Sequence, residues 1–152
     1  MVDVRVGIIG LGSVGQGVVK IISDNISLIQ KKTNAKITII GVCGKDRNKQ
    51  REVQINRYQW FDNPISLAVN EDADIIIELI GGEDGIALEV VESALKAGKN
   101  VITANKALIA KNGNHLLALA EKNGAKLLFE AAIAGSIPIV KTLKESVASN
   151  TI

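Results

Sequence analysis

The apolar positions along this chain switch repeatedly between two periods. Val4, Val6, Ile8 and Ile9 form a run dense enough for a strand buried on both faces. From Val14 the spacing lengthens. Val14, Val18, Val19, Ile21, Ile22, Ile26 and Ile29 recur at helical intervals, predicting a long helix that frays near Lys31 and Lys32 and lays its apolar face on a sheet. Lys36 to Cys43, KITIIGVC, is again β-branched and is closed by Gly44, so it reads as a second strand. Strand, helix and strand make a βαβ unit, whose crossover is right-handed in nearly all proteins.

The remaining pattern continues the alternation. Gly44 to Arg57 is polar and charged and reads as a loop containing a short helical turn. Asn63-Pro64 predicts a helix start, with Asn63 as cap and Leu67 and Ala68 facing inward. Asp74 to Ile80 is nearly all apolar, as a central parallel strand should be. Glu83 to Ala97 is a helix with Ile86, Val90, Val91, Ala94 and Leu95 inward, stopped by Gly98. Asn100 to Thr103 is a fourth strand. Asn105 to Ala110 and Gly113 to Asn123 read as a broken helical pair, Lys126 to Ala131 as a fifth strand, and Pro138 to Ser149 as a last helix. The fold class is therefore α/β: a Rossmann-type, doubly wound, mainly parallel sheet in three layers, spanning 1–152 as one domain.

The first strand runs into GLGSVG, with Gly10, Gly12 and Gly15 spaced as G-x-G-x-x-G. In this setting Gly10 permits the tight turn, Gly12 lets backbone approach a pyrophosphate, and Gly15 allows the helix to pack on the strand. The intervening Leu11, Ser13 and Val14 complete a turn whose helix N-terminus favours an anion. Glycines are common, so the same spacing also describes a tight strand-to-helix turn that binds nothing.

Composition narrows the classes. Of 152 residues, 47% are hydrophobic and 22% charged, and the formal net charge is +2. That balance is ordinary for a globular domain. Aromatics are 3%, too few for base-stacking platforms, and no basic cluster is interleaved with them, so nucleic acid is not an expected partner. The apolar run at the start is broken by Asp3 and Arg5, unlike a signal peptide, and no stretch is long and apolar enough for a membrane span. Cys43 is the only cysteine, which rules out an intramolecular disulfide and makes a reducing cytoplasm the expected compartment.

Nicotinamide cofactors are told apart near the end of the second strand, where an acidic residue suits the ribose hydroxyls of NAD and a basic one the 2′-phosphate of NADP. Here Gly44 stands at the turn and Lys45 and Arg47 follow, favouring NADP. Asp46 keeps NAD open. Lys49, Arg51 and Arg57 read as a solvated loop. Chemistry is expected where the strands deliver their carboxyl ends: Gly81-Gly82, Thr103 to Lys106 and Glu130 to Ser136. Thr103 and Asn105 offer hydrogen-bonding groups there. Lys106 offers a cation able to polarise a carbonyl or hold a carboxylate, and a cation in a helix's first turn opposes the helix dipole. His115, the only histidine, reads as a surface or packing residue, and Cys43 as a small buried apolar group. Glu78 reads as a hydrogen-bonded structural carboxylate, and Trp60-Phe61 as packing under the loop that follows.

Four segments together, GLGSVGQG at Gly10–Gly17, ELIGG at Glu78–Gly82, VITANKALIA at Val101–Ala110 and FEAAIAGSIPIVK at Phe129–Lys141, closely resemble the N-terminal part of homoserine dehydrogenase. The resemblance implies hydride transfer between homoserine and aspartate semialdehyde with NAD or NADP, in the biosynthesis of threonine, methionine and isoleucine. The residues expected to meet the cofactor are Gly10, Leu11, Gly12, Ser13, Val14 and Gly15 of the glycine turn, Lys45 after the second strand, and Gly81, Gly82, Thr103, Asn105 and Lys106 at the later strand ends; the resemblance implies a catalytic role for Lys106 beside a second lysine far downstream. It also implies a monovalent cation, sodium, on backbone carbonyls at Glu130, Ile133, Gly135 and Ile137. Ser136 stands where many members have glycine or alanine. Family members continue into a substrate-binding and dimerisation domain and assemble as homodimers or homotetramers. By itself this chain is expected to be monomeric, to bind cofactor and not to turn over. Two other readings share the fold: the cofactor domain of another amino-acid or semialdehyde dehydrogenase, and a nucleotide-sensing domain without catalysis, against which the cation of TANKALIA argues.

Overall fold

The computed structural model describes residues 1–129. Six strands form one parallel sheet in the order β3-β2-β1-β4-β5-β6. They are β1 (Val2–Ile9), β2 (Ala35–Cys43), β3 (Gln59–Phe61), β4 (Ile75–Glu78), β5 (Asn100–Thr103) and β6 (Leu127–Leu128). The helices are α1 (Ser13–Thr33), α2 (Pro64–Ala68), α3 (Ile86–Lys96) and α4 (Lys106–Lys122), with a single 3₁₀ turn at Ile55–Arg57. This is the expected Rossmann-type sheet. Its order reverses at β1, from which one half winds toward β3 and the other toward β6, and a crevice forms at such a point beyond the carboxyl ends of the strands.

Adjacent strand residues serve opposite faces, which separates two cores. Ile8, Val42 and Ile77 join Val19 of α1 on one face. Ile9, Cys43, Ile76 and Val101 join Leu67, Val90, Val91, Leu95, Leu108 and Leu116 of α2, α3 and α4 on the other. Ile8 and Ile9 are 0% and 1% exposed, so the first strand is indeed buried on both sides. At the far end of the sheet Arg5 of β1 forks onto Asp74, donating from Nε to Oδ2 at 3.2 Å and from Nη2 to Oδ1 at 3.0 Å. These bonds hold the Asp74 carboxyl below its ordinary range.

Several boundaries differ from the sequence reading. β3 was hidden in a charged stretch; its three residues pair with Gly41–Cys43, and Phe61 lies where a Cβ on Gly41 would come within 2.6 Å of its ring. The break expected after Ala110 does not occur. Gly113 sits inside a continuous α4 with only Ile109 within 3.5 Å of a would-be Cβ, so no close packing requires the glycine there. α1 runs through Lys31 and Lys32 to Thr33 and closes on Asn34 in the left-handed conformation at φ 53°. On α1, Val14 and Ile21 point to solvent at 60% exposure each instead of onto the sheet. α3 begins at Ile86, because Glu83–Gly85 is an irregular loop, and Ile86 itself faces the crevice and not the core. Asn63 caps α2 as expected, its Oδ1 accepting from Ile65 N at 2.9 Å. Within the described part of the expected fifth strand Leu127–Leu128 pair as β6, and the expected helix 138–149 lies outside the described residues.

Candidate functional site

The glycine turn has the shape its spacing requires. Gly10 has φ +105°, and a Cβ there would stand 2.5 Å from the Leu79 carbonyl. A Cβ on Gly15 would fall onto the carbonyl oxygen of Gly10, which is how closely α1 packs on the turn. Gly12 is the opposite case: a Cβ there meets nothing within 4 Å. The space beside it is open, and the helix it begins has no side-chain cap and no acidic residue in its first turn. Unpaired N–H groups and the dipole are therefore free to meet a phosphate. Gly10 N donates to Cys43 O at 2.9 Å, tying the turn to the end of β2.

A cleft of about 910 Å³ opens from this turn. Gly10, Leu11 and Gly12 form one wall, Cys43 to Asp46 with Lys49 and Arg51 another, and Ile80 and Ile86 continue it toward β4. Lys45 thus reaches the cleft, as does Asp46. Lys49 and Arg51 border it too: Lys49 is exposed, as a solvated loop residue should be, whereas Arg51 is half-buried, which corrects its reading as solvated loop. Arg51 donates from Nη2 to Asp46 O at 2.5 Å and from Nη1 to Lys49 O at 2.9 Å and Arg47 O at 3.3 Å. Its guanidinium lies 5.4 Å from the centre of the Trp60 ring. The loop after β2 is folded around this one side chain, so Trp60 packs against the loop that precedes it, while its Nε1 donates to Asp62 Oδ1 at 2.8 Å in the segment that follows. Cys43 is 4% exposed, and burial pushes its thiol up to about 11, so it acts as apolar floor.

A second cluster lies farther along the same sheet edge, at the ends of β4 and β5. Glu78 and Thr103 are register partners and both are fully buried. Thr103 Oγ1 donates to Glu78 Oε2 at 2.5 Å, and Ile80 N donates to Oε1 at 2.6 Å. Burial raises the Glu78 carboxyl above its ordinary range, with the two hydrogen bonds opposing that rise. Asn105 N donates to Thr103 Oγ1 at 3.0 Å, Asn105 Oδ1 caps α4 by accepting from Leu108 N at 3.1 Å, and Asn105 Nδ2 donates to Gly82 O at 2.6 Å. Thr103 and Asn105 therefore spend their polar atoms on the protein. Lys106 does not: it is exposed in the first turn of α4 and forms no salt bridge with any described residue. Gly81 is open, and Gly82 has φ +103°. His115 pairs with Glu92 at 2.9 Å on the surface between α3 and α4, away from either cluster. Glu130, Ile133, Gly135 and Ile137 lie outside the described residues.

The family model described as homoserine dehydrogenase, NAD binding domain, matches residues 10–130. The chain belongs to this family. Homoserine dehydrogenases of Neisseria gonorrhoeae and Bacillus subtilis are 40% and 41% identical to it, each over the whole chain but over only 34% and 35% of their own length. The crystal structure of a homoserine dehydrogenase from Thiobacillus denitrificans superposes with a TM-score of 0.87 at 36% identity, covering 97% of this chain and 34% of that one. That of Staphylococcus aureus at pH 7.5 gives 0.82 at 39% identity, covering 89% and 33%. The chain thus spans about a third of the curated relatives it matches. As a homoserine dehydrogenase NAD-binding domain it takes a nicotinamide cofactor, and the open space at Gly12 with the uncapped start of α1 fits the pyrophosphate of one. Among the described residues no helix is long and apolar enough to cross a membrane.

The contact between Arg51 and Trp60 escaped the sequence reading because nothing in their spacing marks it. An arginine in a charge-rich loop and a tryptophan in a three-residue strand are joined only by the fold. The register of Glu78 with Thr103 was recoverable in principle, since both are polar residues at the ends of otherwise apolar strands.

Proposed function

We propose that this chain is the cofactor-binding part of an enzyme that transfers hydride between homoserine and aspartate semialdehyde, with NADP preferred over NAD. The observation that carries the reading is one carboxyl edge holding both an open glycine turn and, two strands away, an exposed lysine at the start of α4 with no salt bridge among the described residues. Gly10, Leu11, Gly12, Ser13, Val14 and Gly15 form the pyrophosphate turn; Lys45 meets a 2′-phosphate; Gly81, Gly82, Thr103, Asn105 and Lys106 shape the reacting end. The cofactor, when bound, supplies or accepts the hydride. Lys106 holds the substrate oxygen or carboxylate by its charge, in a place where the helix dipole raises the cost of a cation and so favours an anion beside it. Three cations on the cleft wall, Lys45, Lys49 and Arg51, outnumber the two carboxylates there, Asp46 and Asp62, and support NADP. A bidentate or charge-assisted contact to phosphate is worth about 1.5–3 kcal/mol, or roughly ten- to a hundredfold in affinity.

Fluorescence titration of the chain with NADPH beside NADH tests the cofactor reading. Tighter NADPH binding is the expected result, and preference for NADH would reverse the role given to Lys45. Because the relatives are about three times as long, turnover belongs to the full-length protein. Homoserine-dependent NADPH formation there is the expected activity, and its absence in a protein that binds NADPH would leave the sensing reading. The proposal extends to a sodium ion on the carbonyls of Glu130, Ile133, Gly135 and Ile137, supported by the sequence resemblance; a turnover rate indifferent to replacing sodium by choline would remove it.

A further inference from the structure

A fully buried carboxylate at the centre of a parallel sheet is an unusual element, because an apolar residue would fill the place at lower desolvation cost. Glu78 is 0% exposed and has no cationic partner among the described residues; its acceptors are used by one hydroxyl and one backbone amide. The bonds run in one direction. Asn105 N–H donates to Thr103, Thr103 O–H donates to Glu78, and Ile80 N–H donates to the other carboxylate oxygen. From Asn105 the side chain then reaches Gly82 O and the first turn of α4. The end of β4, the end of β5, the glycine loop and the helix bearing Lys106 thus meet through one group. Farther along, Lys111 pairs with Asp84 at 2.5 Å and Glu83 at 3.2 Å, and Asn112 Nδ2 donates to Glu83 O at 2.8 Å. The loop 81–85 carries no buried side chain, so these polar contacts are what set its position.

We propose that Glu78 is a positioning residue: acting through Thr103 and the Ile80 amide, it fixes Asn105 and the 81–82 glycine loop and so aims Lys106 at the reacting end of the cleft. The inference rests on the role given to Lys106 above. Its logic is one of hydrogen-bond polarity. In Glu78→Gln the new NH₂ either opposes the Ile80 N–H or faces Thr103, whose proton must then leave for an acceptor that the network does not supply. One link fails in either orientation, although volume and shape are unchanged.

The test combines Glu78→Gln, Thr103→Val and Thr103→Ser. Amide hydrogen exchange on the 152-residue chain should rise at residues 80–85 and 105–108 in E78Q and T103V while β1 and β2 stay protected, and T103S, which keeps the hydroxyl, should match the parent. In the full-length protein kcat should fall roughly 10- to 100-fold in E78Q and T103V, as misplacement of a reacting group does. KM for NADPH should move by less than about threefold. Unchanged kcat in both variants overturns the proposal. So does exchange rising across the whole sheet, or T103S being as impaired as T103V. If E78Q does not fold, the Thr103 pair alone decides. Should the parent protein bind no cofactor or turn over nothing, the functional reading has failed, and the exchange pattern still decides whether Glu78 organises the turn.

Discussion

Replacing Gly12 by alanine separates folding from ligand binding, because no contact among the described residues requires a glycine there. Gly12 has φ −74° and ψ −166°, an extended conformation open to any residue, and an added Cβ meets nothing within 4 Å. Two small terms act on stability. Restricting the unfolded chain favours alanine by about 0.4–1 kcal/mol. Losing glycine at a helix N-cap costs about 0.5–1 kcal/mol. They offset, and the melting temperature should stay within about 2 °C of the parent. Binding should respond quite differently. The open space is where backbone must come close to the pyrophosphate, and a methyl placed there pushes the phosphates off the α1 amides. A steric cost of about 1–3 kcal/mol follows, which is roughly five- to 150-fold in affinity.

Gly15→Ala is the matching control. Its Cβ lands on the Gly10 carbonyl, so the clash is with backbone and not with a flexible side chain that could give way. A loss of about 3 kcal/mol or more is expected, lowering the melting temperature by roughly 6–12 °C. Calorimetry of both variants, with NADPH fluorescence titration below each transition, makes the comparison. A G12A protein that is folded and binds NADPH as tightly as the parent would refute the assignment of this turn to the pyrophosphate. A G12A protein as unstable as G15A would show that the space beside Gly12 is not free.

Four further outcomes are expected. Lys106→Met should leave NADPH affinity of the chain within about threefold and thermal stability unchanged or slightly raised, because a cation leaves the first turn of α4, while turnover of the full-length protein falls by at least about a hundredfold; retained turnover removes Lys106 from the chemistry. Lys45→Glu should shift the NADPH-to-NADH affinity ratio toward NADH by roughly ten- to a hundredfold at low salt, less at high salt, and an unaltered ratio would move the 2′-phosphate elsewhere. The Glu78 carboxyl titrates above its ordinary range in the folded chain, so the folded state binds more protons across that interval; stability conferred at low pH is lost as pH rises through it. Subtracting the stability–pH curve of E78Q from that of the parent should expose this fall, and a flat difference contradicts the burial cost. Cys43, with its thiol near 11, should resist a thiol reagent at pH 8 until the chain unfolds, as followed by mass spectrometry; rapid labelling of the native chain would mean that the cleft floor is open.

What was legible in the sequence followed from period and punctuation. Strands β1, β2, β4 and β5 are apolar runs of the right length, Asn63-Pro64 marked α2, and Gly98 closed α3 at φ +70°. What was not legible depended on partners. β3 exists because Trp60 and Phe61 pair with β2 across a gap left by Gly41, and three residues carry no period of their own. Ile21 fits a helical stripe in sequence yet is 60% exposed, while its neighbour Ile22 packs against the core on the α1 side of the sheet. Ile86 belongs to α3 by spacing, but at the helix's first residue the core has not begun, so its side chain borders the cleft.

The site divides along the same line. A contact that a ligand makes with backbone can be read from glycine spacing, because the requirement is absence of a side chain and sequence records absence directly. Gly10, Gly12 and Gly15 each behave as their position in the motif demands. A contact that one side chain makes in order to place another is different: Thr103 and Asn105 carry the residue types of a binding site, but their polar atoms are already committed to Glu78, Gly82 and α4. Of the TANK segment only Lys106 has no side-chain partner among the described residues. The specificity of a motif such as TANKALIA therefore need not mean that each residue touches a ligand. Part of it is the internal wiring that leaves a single cation exposed at the start of α4, and the T103S and T103V pair measures how much of the motif is wiring.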